Sequence, residues 1–163
     1  MNSISVIIVD DQRLMRDGLK LLLELEDDIE LTGEAADGRE GVTLYNSVQP
    51  DVVLMDIRMP NMTGIEATET ILRNHPEAKI IILTTFDDDE LIVKGIQAGA
   101  KGYMLKDLSG AELGEAIRKV AAGGAQLDAG VTNKLLAQIS KGTISERSAS
   151  NETLIEPLSE RET

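Results

Sequence analysis

The chain has 163 residues, of which 28% are charged, and a net charge of −13 at pH 7. This acidity argues against direct nucleic-acid binding, which depends on lysine and arginine neutralising phosphates. The chain has no cysteine, which excludes disulfides, thiol nucleophiles and cysteine-based zinc sites and fits a reducing compartment. No apolar run approaches the roughly 18 residues of a membrane helix, so we expect a soluble, cytoplasmic protein that does not bind membranes.

Apolar runs recur about every 23 to 27 residues, beginning near Ile4, Ile29, Val52, Lys79 and Gly102. Several of these runs are apolar on both faces, which is typical of strands in a parallel sheet covered on both sides. Parallel strands need crossover connections, and the intervals leave room for one helix each. The pattern predicts an α/β fold over residues 1–123: a doubly wound, flavodoxin-like five-stranded parallel sheet of order 2-1-3-4-5, with helices on both faces.

Four capping boxes lie in the intervals, each pairing a cap with a glutamate at the third helical position. They are Asp37 with Glu40, Thr63 with Glu66, Asp87 with Glu90, and Ser109 with Glu112. The last helix is predicted over residues 110–122, where Leu113, Ala116, Ile117 and Val120 recur at helical spacing.

The first helix is predicted over residues 12–25 and is unusually rich in leucine. One stripe consists of Leu14, Gly18, Leu22 and Leu25, and it is widened by Leu19 and Leu23. Because this stripe is wider than one buried face needs, we expect the helix to keep some apolar surface exposed.

The composition changes after the fifth α/β unit. Residues 124–157 are predicted to be a linker, polar and rich in Ser and Glu beyond residue 142, with a short helix near residues 129–141. Residues 158–163 have the pattern of a helix start, with Ser159 as cap and Glu162 at the third position. We therefore expect a second domain to begin at residue 158.

Three aspartates follow two of the predicted strands: Asp10 and Asp11 after the first, and Asp56 after the third. In the predicted order these strands are neighbours at the topological switch point, where ligands of such folds bind. Like charges this close repel one another unless a cation lies among them. Oxygen ligands suit Mg²⁺, so we predict a Mg²⁺ site with Asp11 and Asp56 as direct ligands, Asp10 direct or through water, and the backbone carbonyl of Arg58 as a further ligand.

Two more polar residues end the remaining strands, Thr84 the fourth and Lys106 the fifth. A hydroxyl, an ammonium and a cation around one carboxylate suit the binding of a phosphoryl group. The set predicts that Asp56 is a nucleophile that forms an acyl phosphate.

These residues resemble the motifs of bacterial two-component response-regulator receiver domains. The matching segments are Val9-Asp10-Asp11, Met55 to Gly64, Leu83-Thr84-Thr85 and Gly102 to Lys106, and the resemblance covers residues 4–122. It implies that Asp56 is the phosphoacceptor and that Asp10 and Asp11 bind the metal. It also implies that Thr84 is the switch hydroxyl, Tyr103 the switch aromatic and Lys106 the lysine that pairs with the phosphate.

The resemblance also implies partners. A sensor histidine kinase would supply the phosphoryl group, and phosphorylation would promote a homodimer through either the last two helices or the apolar first helix. Residues 158–163 resemble the opening of a LuxR-type helix-turn-helix domain. This implies a transcription regulator that binds DNA only through an output domain truncated in this chain.

Two positions depart from the pattern of many receivers. Asp107 stands where many have proline, so the loop lacks the X-Pro bond that gives ready access to a cis peptide. Thr85 offers a second hydroxyl beside Thr84.

The same residues leave two alternative functions to be considered. A Mg²⁺-dependent aspartyl-phosphate phosphatase needs a second aspartate two residues after its nucleophile as acid and base, and Arg58 occupies that position. We therefore expect a long-lived acyl phosphate and no enzyme activity beyond the chain's own phosphorylation and dephosphorylation. A flavodoxin-like cofactor carrier is disfavoured because aromatic residues make up only 2% of the chain.

Overall fold

The protein is described by a computed structural model that covers residues 3–84, 89–106 and 109–127, together with Leu136. Strands and helices alternate along these residues. The strands are β1 (Ile4–Val9), β2 (Ile29–Ala35), β3 (Val52–Met55), β4 (Ile80–Thr84), β5 (Gly102–Leu105) and β6 (Gln126–Leu127). The helices are α1 (Arg13–Glu24), α2 (Gly38–Val48), α3 (Gly64–Asn74), α4 (Asp89–Gln97) and α5 (Gly110–Ala121).

The strands form one parallel sheet of order β2-β1-β3-β4-β5-β6. The predicted α/β class and the order of the first five strands are confirmed. The sixth strand was not predicted, because two residues are too short to show a periodic pattern. It pairs with β5 through Gly102↔Gln126 and Tyr103↔Leu127, so the sheet continues past residue 123 into the segment predicted as linker.

Two layers of helices cover the sheet, and alternate strand residues point to opposite layers. Ile7 and Val9 belong to the core under α2, α3 and α4, whereas Val6 and Ile8 belong to the core under α1 and α5. All four side chains are fully buried. This two-sided burial explains why β1, β3 and β4 contain continuous apolar runs, whereas the edge strand β2 alternates.

The predicted capping boxes at the starts of α3 and α5 form completely. At α2 the Asp37 side chain accepts from the Glu40 amide, but the Glu40 carboxylate accepts from Ala36, one residue before the cap. The box predicted at Asp87 lies outside the described residues.

The leucines of α1 divide between the core and the surface. Leu19 and Leu23 are buried against the sheet and Leu22 is half-buried, whereas the exposed ones are Leu14 (85%), Leu21 (65%) and Leu25 (77%). The surplus apolar surface therefore exists, although its stripe contains Leu21 and not Leu22. Leucines on several sides of a helix leave the buried face undetermined by periodicity alone.

Most of the predicted C-terminal elements lie outside the described residues. Of the helix predicted near 129–141, the described part of the chain includes Leu136, which is helical. The helix start predicted at 158–163 is outside it altogether. Among the described helices, none combines the length and apolar character needed to cross a membrane.

Candidate functional site

The three aspartates meet at the carboxyl edge of the sheet. Parallel pairing of Val9 with Met55 places the residues after them, Asp10 and Asp56, side by side. Carboxylate oxygens of Asp10, Asp11 and Asp56 lie within 4.8 Å of one another. Asp10 and Asp56 are buried and Asp11 is exposed. Two buried carboxylates therefore meet one exposed carboxylate at this edge, and this cluster is called the pocket below.

Lys106 extends from the end of β5 into this pocket. Its Nζ lies 2.7 Å from Oδ2 of Asp10 and 3.3 Å from Oδ1 of Asp56, and its side chain is only 5% exposed. The Lys106 amide donates to the Thr84 carbonyl at 2.9 Å, which ties the end of β5 to the end of β4. One ammonium offsets one of the two buried carboxylates, so the pocket keeps a net negative charge that favours a cation.

Each polar group of Asp10 makes a hydrogen bond. Its amide donates to the Ala35 carbonyl at 3.0 Å, and its Oδ1 accepts from the Gln12 amide at 2.9 Å. Its carbonyl accepts from Nη1 of Arg16 at 2.7 Å, and its Oδ2 accepts from Lys106. Asp10 is thus held in one orientation by its neighbours.

Arg16 is a site residue that the sequence analysis did not identify. Its contact is with a backbone carbonyl, which leaves no mark in the pattern of residue types. The signal that could have revealed it is positional: a long cation lies one helical turn inside the helix that follows an acidic strand end.

Burial raises the pKa of Asp56 to about 6, with the Asp10 charge adding to this rise and Lys106 opposing it. At neutral pH the group is therefore still mostly ionised, yet poorly solvated. Such a buried carboxylate is stabilised by any positive charge that enters the pocket.

The loop between β3 and α3 is fixed at both ends. The Gly64 amide donates to the Ile57 carbonyl at 2.8 Å, and Asn61, in the left-handed region at φ 68°, donates its side-chain amide to Asp37 at 2.8 Å. Arg58 lies on this loop with an exposed side chain. These bonds therefore fix the loop that carries Arg58, an exposed residue.

The other two predicted site residues are buried below this edge. Thr84 ends β4 and is fully buried. Tyr103 on β5 is fully buried too, and its ring lies so close to α4 that a Cβ placed on Gly95 would come within 3.0 Å of it. Thr85 and Asp107 lie outside the described residues. Thr84 is thus at the edge with the carboxylates, and Tyr103 lies beneath α4.

Residues 6–118 match the family model of the response regulator receiver domain. The chain belongs to this family. The resemblance drawn from the motifs is therefore confirmed.

Two curated relatives of this receiver domain are transcriptional regulatory proteins. It is 45% identical over 136 residues to LiaR of Bacillus subtilis, covering 83% of this chain and 64% of LiaR. It is 37% identical over 137 residues to DegU of Brevibacillus brevis, covering 84% of this chain and 58% of DegU. The chain thus spans less than two thirds of the length of either relative.

Solved structures agree with these matches. A LuxR-family two-component response regulator from Aurantimonas sp. SI85-9A1 has a TM-score of 0.80 and 32% identity, covering 85% of this chain and 99% of that one. A LuxR-family DNA-binding response regulator from Staphylococcus aureus has a TM-score of 0.69 and 36% identity, covering 72% of this chain and 98% of that one. The receiver domain therefore resembles LuxR-family response regulators in both sequence and fold.

The donor set of the receiver's pocket fits a hard divalent cation. Its converging ligands are carboxylate oxygens, and Mg²⁺ is bound by one or two carboxylates with several waters and a phosphate oxygen. A chain without cysteine offers no thiolate to favour a softer metal.

Proposed function

We propose that this receiver domain accepts a phosphoryl group from a sensor histidine kinase on Asp56, with Mg²⁺ as cofactor, and controls transcription through a LuxR-type DNA-binding domain. In the transfer, the P–N bond of a phosphohistidine breaks and a P–O bond to Asp56 forms. The observation that supports this proposal is the meeting of three carboxylates and Lys106 at one edge of the sheet.

Each pocket residue has a role in this proposal. Asp10, Asp11, Asp56 and the backbone carbonyl of Arg58 would hold Mg²⁺, which when bound would neutralise charge on the phosphoryl oxygens. Lys106 already lies 3.3 Å from an oxygen of Asp56. Its ammonium is therefore within reach of a phosphoryl oxygen carried by that carboxylate.

The change of conformation on phosphorylation would be carried by a polar and an aromatic residue behind the pocket. The Thr84 hydroxyl would turn to donate to a phosphoryl oxygen, and Tyr103 would repack into the space beside it. Because Tyr103 supports α4, a change in its packing would alter the surface formed by α4 and β5. Such differential contacts shift an existing equilibrium between two conformations.

In this role the domain is a cytoplasmic switch and not an enzyme. Arg58 stands two residues after Asp56 with its side chain in solvent, and a guanidinium supplies no carboxylate for acid–base catalysis. Hydrolysis of the acyl phosphate therefore lacks the group that a phosphatase would use, and the phosphorylated state persists.

Treatment with acetyl phosphate and Mg²⁺ is expected to add one phosphoryl group per chain, because Asp56 is the proposed acceptor and lies beside Lys106 and the other carboxylates. Intact-protein mass spectrometry measures the label. Asp56→Asn should abolish it, whereas the matched control Asp27→Asn, at an exposed aspartate after α1, should not change it. Release of phosphate over many turnovers would instead support the aspartyl-phosphate phosphatase.

We infer that the phosphorylated homodimer forms through α1. Its exposed stripe of Leu14, Gly18, Leu21 and Leu25 repeats at intervals of four and three residues, which is the spacing of a seam between two helices. Among the described residues, α4 and α5 expose no large apolar side chain. Of the two candidate faces, α1 therefore has more to gain from burial.

Substitution of Leu14 and Leu25 by serine is expected to weaken the beryllofluoride-activated dimer by at least about tenfold, since burying one leucine contributes roughly 1.5–3 kcal/mol. Sedimentation velocity across a concentration series measures the dimer. The matched control replaces Lys94 and Lys119, exposed on α4 and α5, by serine. A dimer lost in the control and kept in the leucine variant would place the interface on the other face.

A further inference from the structure

Arg16 links the metal-binding edge to the neighbouring strand. Its Nη1 donates to the backbone carbonyl of Asp10 at 2.7 Å, and its Nε lies 3.2 Å from Oε1 of Glu34 on β2. The side chain is only 16% exposed. Two directed bonds and this burial hold the guanidinium in one position.

A second cation holds Glu34 from the other side. Lys20 Nζ lies 2.6 Å from Oε2 of Glu34. The two cations hold the pKa of Glu34 below its usual range, the hydrogen bond from Lys20 having the largest effect. Glu34 therefore stays ionised at neutral pH and offsets the charge of Arg16, so that Arg16 can approach the cation pocket without repelling its ligand.

The carbonyl that Arg16 holds belongs to the peptide between Asp10 and Asp11. The orientation of this peptide sets the direction in which the Asp11 side chain leaves the backbone. Among the described residues, no hydrogen bond holds the Asp11 carboxylate itself, and the residue is exposed. The direction of the Asp11 carboxylate therefore depends on the backbone at Asp11, and Arg16 is the side chain that holds this backbone in place.

We propose that Arg16 is a positioning residue that keeps the Asp11 carboxylate directed at the cation by holding the Asp10 carbonyl. The inference rests on the proposed function, since it requires Mg²⁺ to bind among the aspartates. Arginine suits this task because its planar fork serves two acceptors in fixed directions, whereas the single ammonium of lysine does not reproduce that geometry.

The test titrates Mg²⁺ into the unphosphorylated chain and follows the amide signals of Asp11 and Asp56 by NMR. Arg16→Met is expected to raise the Mg²⁺ Kd by about tenfold, at the lower end of the effect of removing a residue that orients a metal ligand. Acetyl phosphate labelling should shift to higher Mg²⁺ and recover its wild-type rate at saturation. A merely destabilised fold would not give this separation.

Lys20→Met is the matched control, because Lys20 shares Glu34 with Arg16 but has no bond to Asp10 in the described contacts. It should leave the Kd within about twofold, as surface substitutions do. Arg16→Lys should give an intermediate Kd, and it decides the question if Arg16→Met does not fold.

Three outcomes separate the claims. Wild-type protein that does not bind Mg²⁺ would overturn the proposed function itself. If the wild type binds Mg²⁺ and Arg16→Met binds it with the same Kd, the positioning role is overturned and the aspartate site stands. The same conclusion follows from an unchanged Kd in Arg16→Lys if Arg16→Met does not fold. An equal loss in Lys20→Met also overturns the positioning role, because the effect would then come from the charge of the network.

Discussion

Asp56→Asn is expected to raise the free energy of unfolding of the metal-free protein at pH 7 by roughly 3 kcal/mol. Burial raises the pKa of Asp56 from 3.8 to about 6, and each unit corresponds to about 1.36 kcal/mol of preference for the neutral form. Asparagine removes this buried charge, while Lys106 keeps its shorter ion pair, with Asp10 at 2.7 Å. The buried Asp56 carboxylate thus costs the fold stability when no cation lies beside it.

The same shift fixes the pH dependence of the difference. Between pH 3.8 and about 6, the folded state of the wild type binds more protons at Asp56 than the unfolded state does. Wild-type stability therefore falls as pH rises through this window. The Asn variant lacks this loss, so its advantage should vanish below about pH 4 and be complete above about pH 6.

Urea unfolding with EDTA at a series of pH values measures this difference. Asp27→Asn, at an exposed site, is the matched control and should change stability by less than about 0.5 kcal/mol. Mg²⁺ in place of EDTA should stabilise the wild type more than the Asn variant, because a ligand of the folded state adds stability in proportion to its occupancy. An Asn variant no more stable than the wild type at pH 7 would show that Asp56 is not strained by its burial.

Gly64→Ala is expected to destabilise the domain by about 3 kcal/mol, the upper end of the usual cost of overpacking, against the usual helix preference for alanine. A Cβ on Gly64 would lie 1.8 Å from the Asp56 carbonyl oxygen and 3.0 Å from the Cα of Ile57. Both are backbone atoms and cannot rotate away. The start of α3 would have to move, which breaks the Gly64–Ile57 hydrogen bond and displaces Asp56, so acetyl phosphate labelling should fall as well.

Gly18→Ala on α1 is the matched control, because no described atom lies within 4 Å of the Cβ it adds. It should stabilise the domain by about 0.5–1 kcal/mol through helix propensity. Circular dichroism during urea unfolding measures both variants at low protein concentration. Equal effects of the two substitutions would mean that α3 moves more freely than its contacts with β3 indicate.

The sequence was sufficient to predict the architecture because its inner strands are buried on both faces. Runs such as Val52–Met55 are fully apolar, and their spacing left room for helices alone. The short strand β6 and the buried face of α1 could not be read in this way. Two residues show no period, and leucines on several sides of a helix favour no single face.

The composition of the site followed from strand order, since carboxyl ends of adjacent parallel strands meet. This rule is enough to place Asp10, Asp11 and Asp56 together from the sequence. The contacts of Lys106 with two carboxylates, and of Arg16 with a carbonyl, depend on side-chain reach and backbone direction. Sequence patterns do not encode these, and the roles of Thr84, Tyr103 and Lys106 in switching stay predictions.

The ion pair between Lys106 and Asp10 joins residues 96 positions apart. The pocket is therefore assembled only after β5, the fifth of the strands along the chain, has joined the sheet. A chain still emerging from the ribosome has Asp56 long before it has Lys106. If Asp56 accepts a phosphoryl group as proposed, a chain that has not yet placed β5 in the sheet lacks Lys106 at the site and would not respond to the signal.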